Sequence, residues 1–332
     1  MTSSTSTLKP SSSSKCGCTG QNRRATNSIA KDKLACPANE RFYWATMSPP
    51  VVTLTIAGSD CGAGAGIQAD LKTFSLYGIH GLTAISSVVV QTPQKVHSYH
   101  EVSPATLAEQ IQILLDSYPV AAIKTGLLTT SFHISAVADV LAGSEIPLVV
   151  DPVLSASSGT DFGPQEVIQA YMEKLLPMAS LATPNLPEAI RLLGLNNHLA
   201  PEELPPSKAA EELAEILEIP ILLTGGHSVA ENMVTDIFYR NGKAREFTHP
   251  WVDLPSTHGT GCTYSAAITS LLALGHGLEQ AIPKAQSLMD HVLETSYRWP
   301  QEKGEQAISA LNQLPPGPDG FCGNDKSEET HS

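Results

Sequence analysis

The stretch Ser256-Thr-His-Gly-Thr-Gly-Cys262 sets two glycines, a threonine and a cysteine directly before an apolar helix. Tyr264, Ala267, Ile268, Leu271 and Leu272 recur at helical spacing, and Gly275 and Gly277 mark where that helix stops. A glycine turn that opens a helix leaves main-chain N–H groups without intrahelical acceptors, at the positive end of the helix dipole. Such a place binds anions, phosphate above all. Gly259 and Gly261 are therefore candidates to cradle a phosphoryl group. Cys262 lies in the same first turn, where the dipole favours thiolate, so it is a candidate base. The competing reading is a glycine-rich helix start with a buried, inert cysteine.

What must position this turn is a rhythm of strands and helices that starts at Val51. Val51-Val-Thr-Leu-Thr-Ile56 reads as a buried strand and runs into the glycine-rich Ala57–Gly66 turn. A helix with Ile67, Leu71 and Phe74 on one face follows. Then come the apolar run Leu82–Val90, a helix with Leu107, Ile111, Leu114 and Leu115, and a short strand over 121–125. Ile134, Val137, Ala138 and Leu141 mark a further helix, and Leu148-Val-Val150 a strand ending at Asp151. The second half continues with strands at 181–183 and 221–224, separated by a helix carrying Ala209, Leu213, Ile216 and Leu217. Arg240-Asn-Gly-Lys243 between two β-rich runs predicts a hairpin. A long helix starts near Glu279. Alternating strands and helices imply a doubly wound, mostly parallel sheet between helix layers.

In such sheets ligands sit at the carboxyl ends of the strands. Ser59, Asp60, Gln91, Lys124, Asp151, Asn185, Thr224 and the Gly259–Cys262 turn all fall there, which places a candidate site. Gly62-Ala-Gly-Ala-Gly66 lacks the dinucleotide-binding spacing and its downstream acid, which disfavours a nicotinamide enzyme. There is no P-loop motif either. Asn185-Leu-Pro-Glu188 reads as an N-cap with its capping-box glutamate, or as a Glu holding magnesium through water. Lys284 reads as a solvated helix charge. His258 reads as a turn residue with no acid partner in sight, and Asp70 as an exposed helix acid or a ligand contact one turn from the site.

The chain has 332 residues, 42% of them hydrophobic and 16% charged, with a net charge of −13. That balance argues against nucleic acid or an anionic membrane as a partner, and no apolar run approaches the ~20 residues of a membrane span. Cys16, Cys18, Cys36, Cys61, Cys262 and Cys322 form no disulfide framework, which fits a reducing compartment. Residues 1–46 are hydroxyl-rich and carry seven Lys/Arg against two acids. They read as a disordered leader, either a transit peptide or the product of a start placed ahead of Met47. Residues 313–332 read as a loose tail, leaving one domain over 47–312.

Taken together, the motifs resemble the hydroxymethylpyrimidine and phosphomethylpyrimidine kinases of thiamine biosynthesis, within the ribokinase-like fold. Thr55-Ile-Ala-Gly-Ser-Asp60 with Gly64-Ala-Gly-Ile-Gln-Ala-Asp-Leu-Lys-Thr-Phe74 is similar to that family's N-terminal signature. Thr183-Pro-Asn-Leu-Pro-Glu-Ala189 is similar to its magnesium–ATP segment, and Thr257-His-Gly-Thr-Gly-Cys-Thr263 to its anion hole. The likeness runs from about Val51 to Tyr297. It implies a three-layer α/β/α sandwich with a late antiparallel hairpin, and a cytoplasmic homodimer (organellar if the leader is a transit peptide) that uses ATP and Mg2+ on a small pyrimidine.

By that resemblance, Gly58, Asp70 and Gln91 line the pyrimidine pocket, with Asp70 and Gln91 bonding the amino-pyrimidine edge, and Val89, Leu127 and Val153 form its apolar walls. Gly259, Gly261 and the Cys262 amide hold the transferring phosphoryl group, and Cys262 stands where most such enzymes place an aspartate base. Asn185 and Glu188 organise magnesium and phosphates, and Lys284 lies by the nucleotide. Two departures stand out: Cys61-Gly-Ala replaces the usual Pro-Ser-Gly, and Thr224 stands where a lysine is common, removing a cation near the phosphates. The alternatives are a pyridoxal or pyridoxine kinase of the same fold and a non-catalytic pyrimidine-binding protein.

Overall fold

Val52–Asp60 (β1) is buried along almost its whole length, as a β-branched run covered on both faces must be. The computed structural model describes residues 48–195, 204–225, 233–300 and 308–314, so the leader, His227, Cys16, Cys18, Cys36 and Cys322 lie outside the described residues. Beside β1 run β2 (His80–Thr92) and β4 (Val120–Thr125), both parallel to it. The sheet continues through β5 (Leu148–Val150), β6 (Leu181–Ala182) and β7 (Ile221–Leu223), all parallel. Antiparallel strands close both edges: β3 (Lys95–Glu101) on β2, and β8 (Met233–Arg240) with β9 (Lys243–Pro250) beyond β7. The order across the nine strands is β3-β2-β1-β4-β5-β6-β7-β8-β9.

Side chains alternate across this sheet with the strand period of two. Leu148 and Val150 join one hydrophobic cluster while Val149 joins another; Ile221, Leu223 and Leu222 divide the same way. The first cluster packs the sheet against α2 (Pro104–Ser117), α3 (Ser131–Leu141), α4 (Gln165–Ala170), α5 (Leu186–Leu192) and α6 (Pro206–Leu217). The opposite face carries α1 (Gly66–Leu76), α7 (Thr260–Ala273) and α8 (Leu278–Glu294). The three-layer sandwich expected from the motifs is thus present. Among the described residues no helix is long and apolar enough to cross a membrane.

The expected hairpin forms at Asn241-Gly242, whose φ angles of 52° and 74° suit the turn that matches strand twist. The first hairpin, β2–β3, is absent from the sequence reading because Lys95-Val-His-Ser-Tyr-His-Glu101 lies largely exposed at the sheet edge and shows no clean apolar alternation. Ile216, placed on the buried face of its helix by spacing, is 61% exposed; the buried stripe of α6 runs through Ala209, Ala210, Leu213, Ala214 and Leu217. A small separate pair, β10 (Tyr297–Trp299) and β11 (Ile308–Ala310), also went unpredicted.

Beneath the carboxyl ends of the central strands lies an ion pair. Lys124 Nζ on β4 sits 3.0 Å from both Asp70 carboxylate oxygens on α1, with both side chains fully buried. Thr55 Oγ donates to the same carboxylate at 2.6 Å. Burial alone would lower the Lys124 pKa, but the charge of Asp70 outweighs it and lifts the ammonium above the ordinary lysine range. The pair ties the first helix to the sheet. Removing one member of a buried pair strands the other charge, at a cost of about 3–5 kcal/mol. Lys124→Met is therefore expected to destabilise by that amount in urea unfolding, and Lys124→Met combined with Asp70→Leu to recover most of it. A single variant costing under about 1 kcal/mol, the range of an exposed pair, would show that the pair is not what ties α1 down.

Candidate active site

The site is built around a close approach of two glycine loops. Gly259, N-cap of α7, has φ +87°, a conformation open to glycine at little cost. A Cβ placed there would fall 1.8 Å from the Gly64 carbonyl oxygen. Only glycine lets the turn before α7 lie against the turn before α1. Within the turn, the Thr260 N–H donates to Thr257 O at 3.2 Å, and the Thr263 N–H and hydroxyl both donate to Gly259 O, at 2.9 and 2.7 Å. The N–H groups of Gly261 and Cys262 have no acceptor among the described residues. They are the free donors that the sequence pattern anticipates.

Asp60, at the end of β1, holds the two loops together. Its carboxylate accepts N–H bonds from Gly62, Gly64 and Ala65 at 2.8 to 3.0 Å, and His258 Nε2 lies 2.9 Å from Oδ2. The expectation that His258 lacks an acid partner is therefore corrected: the partner stands 198 residues away in sequence. Burial would raise the Asp60 pKa, but His258 and the loop N–H groups outweigh it and hold the carboxyl at about 2.

The chemistry at Cys262 also differs from expectation. Its half-buried thiol is pushed up to about 12, chiefly by burial, with Asp151 and Asp70 adding to the rise and Lys124 and a Gly66 N–H opposing it. That direction favours the thiol over the thiolate at neutral pH. Close by, Asp151 packs against the turn: a Cβ on Gly261 would lie 3.8 Å from its Oδ2, and Ser265 Oγ is 3.2 Å from the same oxygen. Glu188 completes the expected capping box, accepting the Asn185 N–H at 3.0 Å while Asn185 Oδ1 accepts the Glu188 N–H at 2.9 Å. Burial raises the pKa of both acids, and the charge of Asp151 raises Glu188 further. Lys124 acts against the rise at Asp151 and Arg191 against that at Glu188, but burial prevails at both, and both carboxyls line one cleft.

That cleft has a volume of about 410 Å³ and is lined by Gly58, Val89, Gln91, Leu127, Val153, Asn185, Glu188, Thr224, Gly259, Gly261 and Cys262, so eleven of the thirteen residues singled out from sequence come together. Asp70 and Lys284 do not. Asp70 is spent on Lys124 and Thr55 beneath the cleft floor, with no exposed surface to offer a ligand. Lys284 is exposed on α8, 3.4 Å from His276, so its plainer reading as a solvated charge stands. Asp60, Asp151 and His258 also line the cleft; the sequence placed the two acids at strand ends but supplied no role for either. On the far side of the turn lies an apolar pocket of about 120 Å³ with Val234, Val252, Met289 and Leu293 on its walls. Thr224, Thr257, Thr260 and Gly261 line both spaces, so the turn is their shared wall.

Comparison with known proteins agrees with this arrangement. The family described as phosphomethylpyrimidine kinase matches residues 60–307. A hydroxymethylpyrimidine/phosphomethylpyrimidine kinase of Bacillus subtilis is 35% identical over 246 residues, covering 73% of this chain and 89% of that protein. A pyridoxine kinase of the same organism is 33% identical, covering 78% and 96%. Among solved structures, an ADP complex of Bacillus subtilis pyridoxal kinase superposes with a TM-score of 0.70 at 31% identity, covering 79% of this chain and 97% of that one.

The Asp60 carboxyl gives the site an acid signature. Its folded-state value of about 2 lies below the ordinary 3.8, so the ionised form stabilises the fold above about pH 4, and that contribution is lost as pH falls through 2. Asp60→Asn should flatten the acid limb of the stability curve between pH 4 and 2 relative to the wild-type protein. Parallel curves in denaturant titrations across that range would mean that Asp60 does not carry the latch.

Proposed function

The chain belongs to the phosphomethylpyrimidine kinase family, and we propose that it transfers the terminal phosphoryl group of ATP to the hydroxymethyl group of 4-amino-5-hydroxymethyl-2-methylpyrimidine. We propose the resulting monophosphate as a second acceptor, giving the diphosphate used in thiamine biosynthesis. The observation that carries this reading is the pair of unpaired N–H groups at Gly261 and Cys262, in the wall between a polar cleft and an apolar pocket. The acceptor would occupy the cleft, with Gln91 offering its amide to the amino-pyrimidine edge and Val89, Leu127 and Val153 flanking the ring. The nucleotide would approach from the side of Asn185 and Thr224, its base in the apolar pocket.

Phosphoryl transfer depends on positioning and charge neutralisation more than on covalent chemistry. An ATP phosphate entering this cleft meets the carboxyls of Asp151 and Glu188, and its negative charge disfavours their ionised forms further. The carboxylate pair therefore fits a divalent cation, which relieves both the burial and the repulsion. Magnesium is commonly held by one or two carboxylates, water and substrate phosphates, ligands that Asp151 and Glu188 would contribute in this cleft. When bound, the ion neutralises charge on the transferred group. Glu188→Gln can retain the capping box while losing the charge. It should leave the melting temperature close to wild type and raise the magnesium concentration for half-maximal rate roughly tenfold, about 1.4 kcal/mol of cation affinity. An unchanged magnesium dependence would remove Glu188 from the cation site.

With its thiol neutral, Cys262 contributes an amide donor and a wall contact. In a loose transition state the bond to the acceptor forms late, so its hydroxyl proton would pass late in the step to a phosphate oxygen or to solvent, and a strong base at Cys262 is not required. Cys262→Ala should then slow transfer to the alcohol and to the monophosphate by similar factors; a loss confined to the alcohol would restore the base role. The reading as a whole is tested by ADP release with hydroxymethylpyrimidine, its monophosphate and pyridoxal side by side. Turnover with the two pyrimidines is expected. Turnover with pyridoxal alone would instead favour the pyridoxine kinase reading, which the 33% identity to such an enzyme keeps in view. Binding without ADP release would point to a non-catalytic protein.

A further inference from the structure

Beyond the cleft, one side chain outside every sequence motif acts on the phosphate-binding turn. Gln313, which the sequence reading assigns to the tail, is 2% exposed. Its Nε2 lies 2.9 Å from Thr263 Oγ, 3.0 Å from Thr73 Oγ and 3.1 Å from Ala69 O. The threonine hydroxyls send their own protons to main-chain carbonyls, Thr263 to Gly259 and Thr73 to Ala69. Each threonine oxygen therefore has lone pairs left for the two amide hydrogens of Gln313. The result is a relay from Gln313 through Thr263 to the carbonyl of Gly259, the residue whose left-handed conformation shapes the turn.

The same segment holds the other end of the turn. Ser309 Oγ on β11 donates to Ser256 O at 3.3 Å. Leu311 between them is buried in the cluster of α7 and α8. Residues 308–314 thus touch the phosphate-binding turn at its first residue, Ser256, and at Thr263 just past it. They also join it to α1 through Thr73 and Ala69.

We propose that Gln313 is a positioning residue for phosphoryl transfer, holding the Gly259–Cys262 amides in place through Thr263. The proposal rests on the kinase reading above for its catalytic consequence, though not for the anion-binding one. A buried amide with satisfied donors fixes the Thr263 rotamer and so the direction in which Gly259 O points. A purely structural role would instead treat the arms toward α1 and α7 alike.

The test separates the two arms. Gln313→Leu fills similar volume with no donor, Thr263→Val removes the relay, and Thr73→Val removes only a bond to α1. Gln313→Leu and Thr263→Val are each expected to lower kcat roughly tenfold, a fraction of the ~10²-fold that a misplacement of about 1 Å costs. KM for the pyrimidine should stay near wild type. The double variant Gln313→Leu/Thr263→Val should be little worse than either single. Thr73→Val should keep kcat while lowering the melting temperature. If Gln313→Leu and Thr73→Val both lower the melting temperature and neither moves kcat, Gln313 is a structural residue only, and the proposal falls. A readout independent of turnover is the binding of inorganic phosphate, with magnesium present, followed by 31P line broadening. Gln313→Leu should weaken it severalfold and Thr73→Val should not. A wild-type protein that binds phosphate yet releases no ADP would overturn the kinase reading and leave the brace standing on the binding result, whereas no phosphate binding at all would overturn the brace.

Discussion

The contact on which the site depends is the approach of Gly259 to the carbonyl of Gly64. With any Cβ at position 259 the two turns would have to separate, because the atom would fall 1.8 Å from that oxygen. With none, the N-termini of α1 and α7 converge at the carboxyl ends of the central strands. Strand order reverses across β1 there, which opens a crevice. Asp60 and His258 span the junction, and the buried Lys124–Asp70 pair anchors α1 from below. The free amides of Gly261 and Cys262 belong to the first turn of α7, as in any helix start, and the convergence brings them to the cleft wall.

Electrostatics around the turn illustrate why magnitude decides between opposing effects. A helix N-terminus stabilises a nearby anion by about 0.3–1 kcal/mol, less than one pKa unit at 1.36 kcal/mol per unit. Desolvation of a buried group shifts its pKa by up to several units. For Cys262 the two oppose each other, and burial beside Asp151 prevails. The dipole argument for a thiolate therefore works against burial at this position. Asp60 shows the reverse balance: burial acts to raise its pKa, yet three N–H donors and an imidazole prevail.

The fold was legible because its parallel strands are apolar on both faces and its helices carry clear stripes. The elements that escaped were those without that contrast: the exposed edge strand Lys95–Glu101 and the short β10–β11 pair. Most of the site was legible because glycine turns and strand ends are marked by residue type. What was hidden is pairwise. Nothing near His258 in sequence names Asp60, and nothing near Asp70 names Lys124, 54 residues on. Spacing along one helix cannot say whether an acid faces the cleft or a lysine beneath it. Gln313 was hidden for the same reason, since its partners on α1 and α7 lie 240 and 50 residues away.

A turn with free amides attracts phosphate, yet this one is flanked by Asp151 and Glu188, whose ionised forms would repel it. The two tendencies are reconciled if the site is organised for a phosphate that arrives with its own cation. Metal-free anions then gain the amides but meet the carboxylates, whereas a magnesium–nucleotide satisfies both at once. Burial raises the pKa of both acids, and a group that is costly to ionise alone gains most when its counter-charge arrives. The substitution of Thr224 for a lysine has a place in this balance. A fixed ammonium there would neutralise phosphates without a metal; on the kinase reading, Thr224 would leave that task to a cation held by the carboxylates. On that reading the turn would supply direction and the acids selectivity for a metal-bound nucleotide, while the buried Lys124–Asp70 pair anchors α1 beneath them.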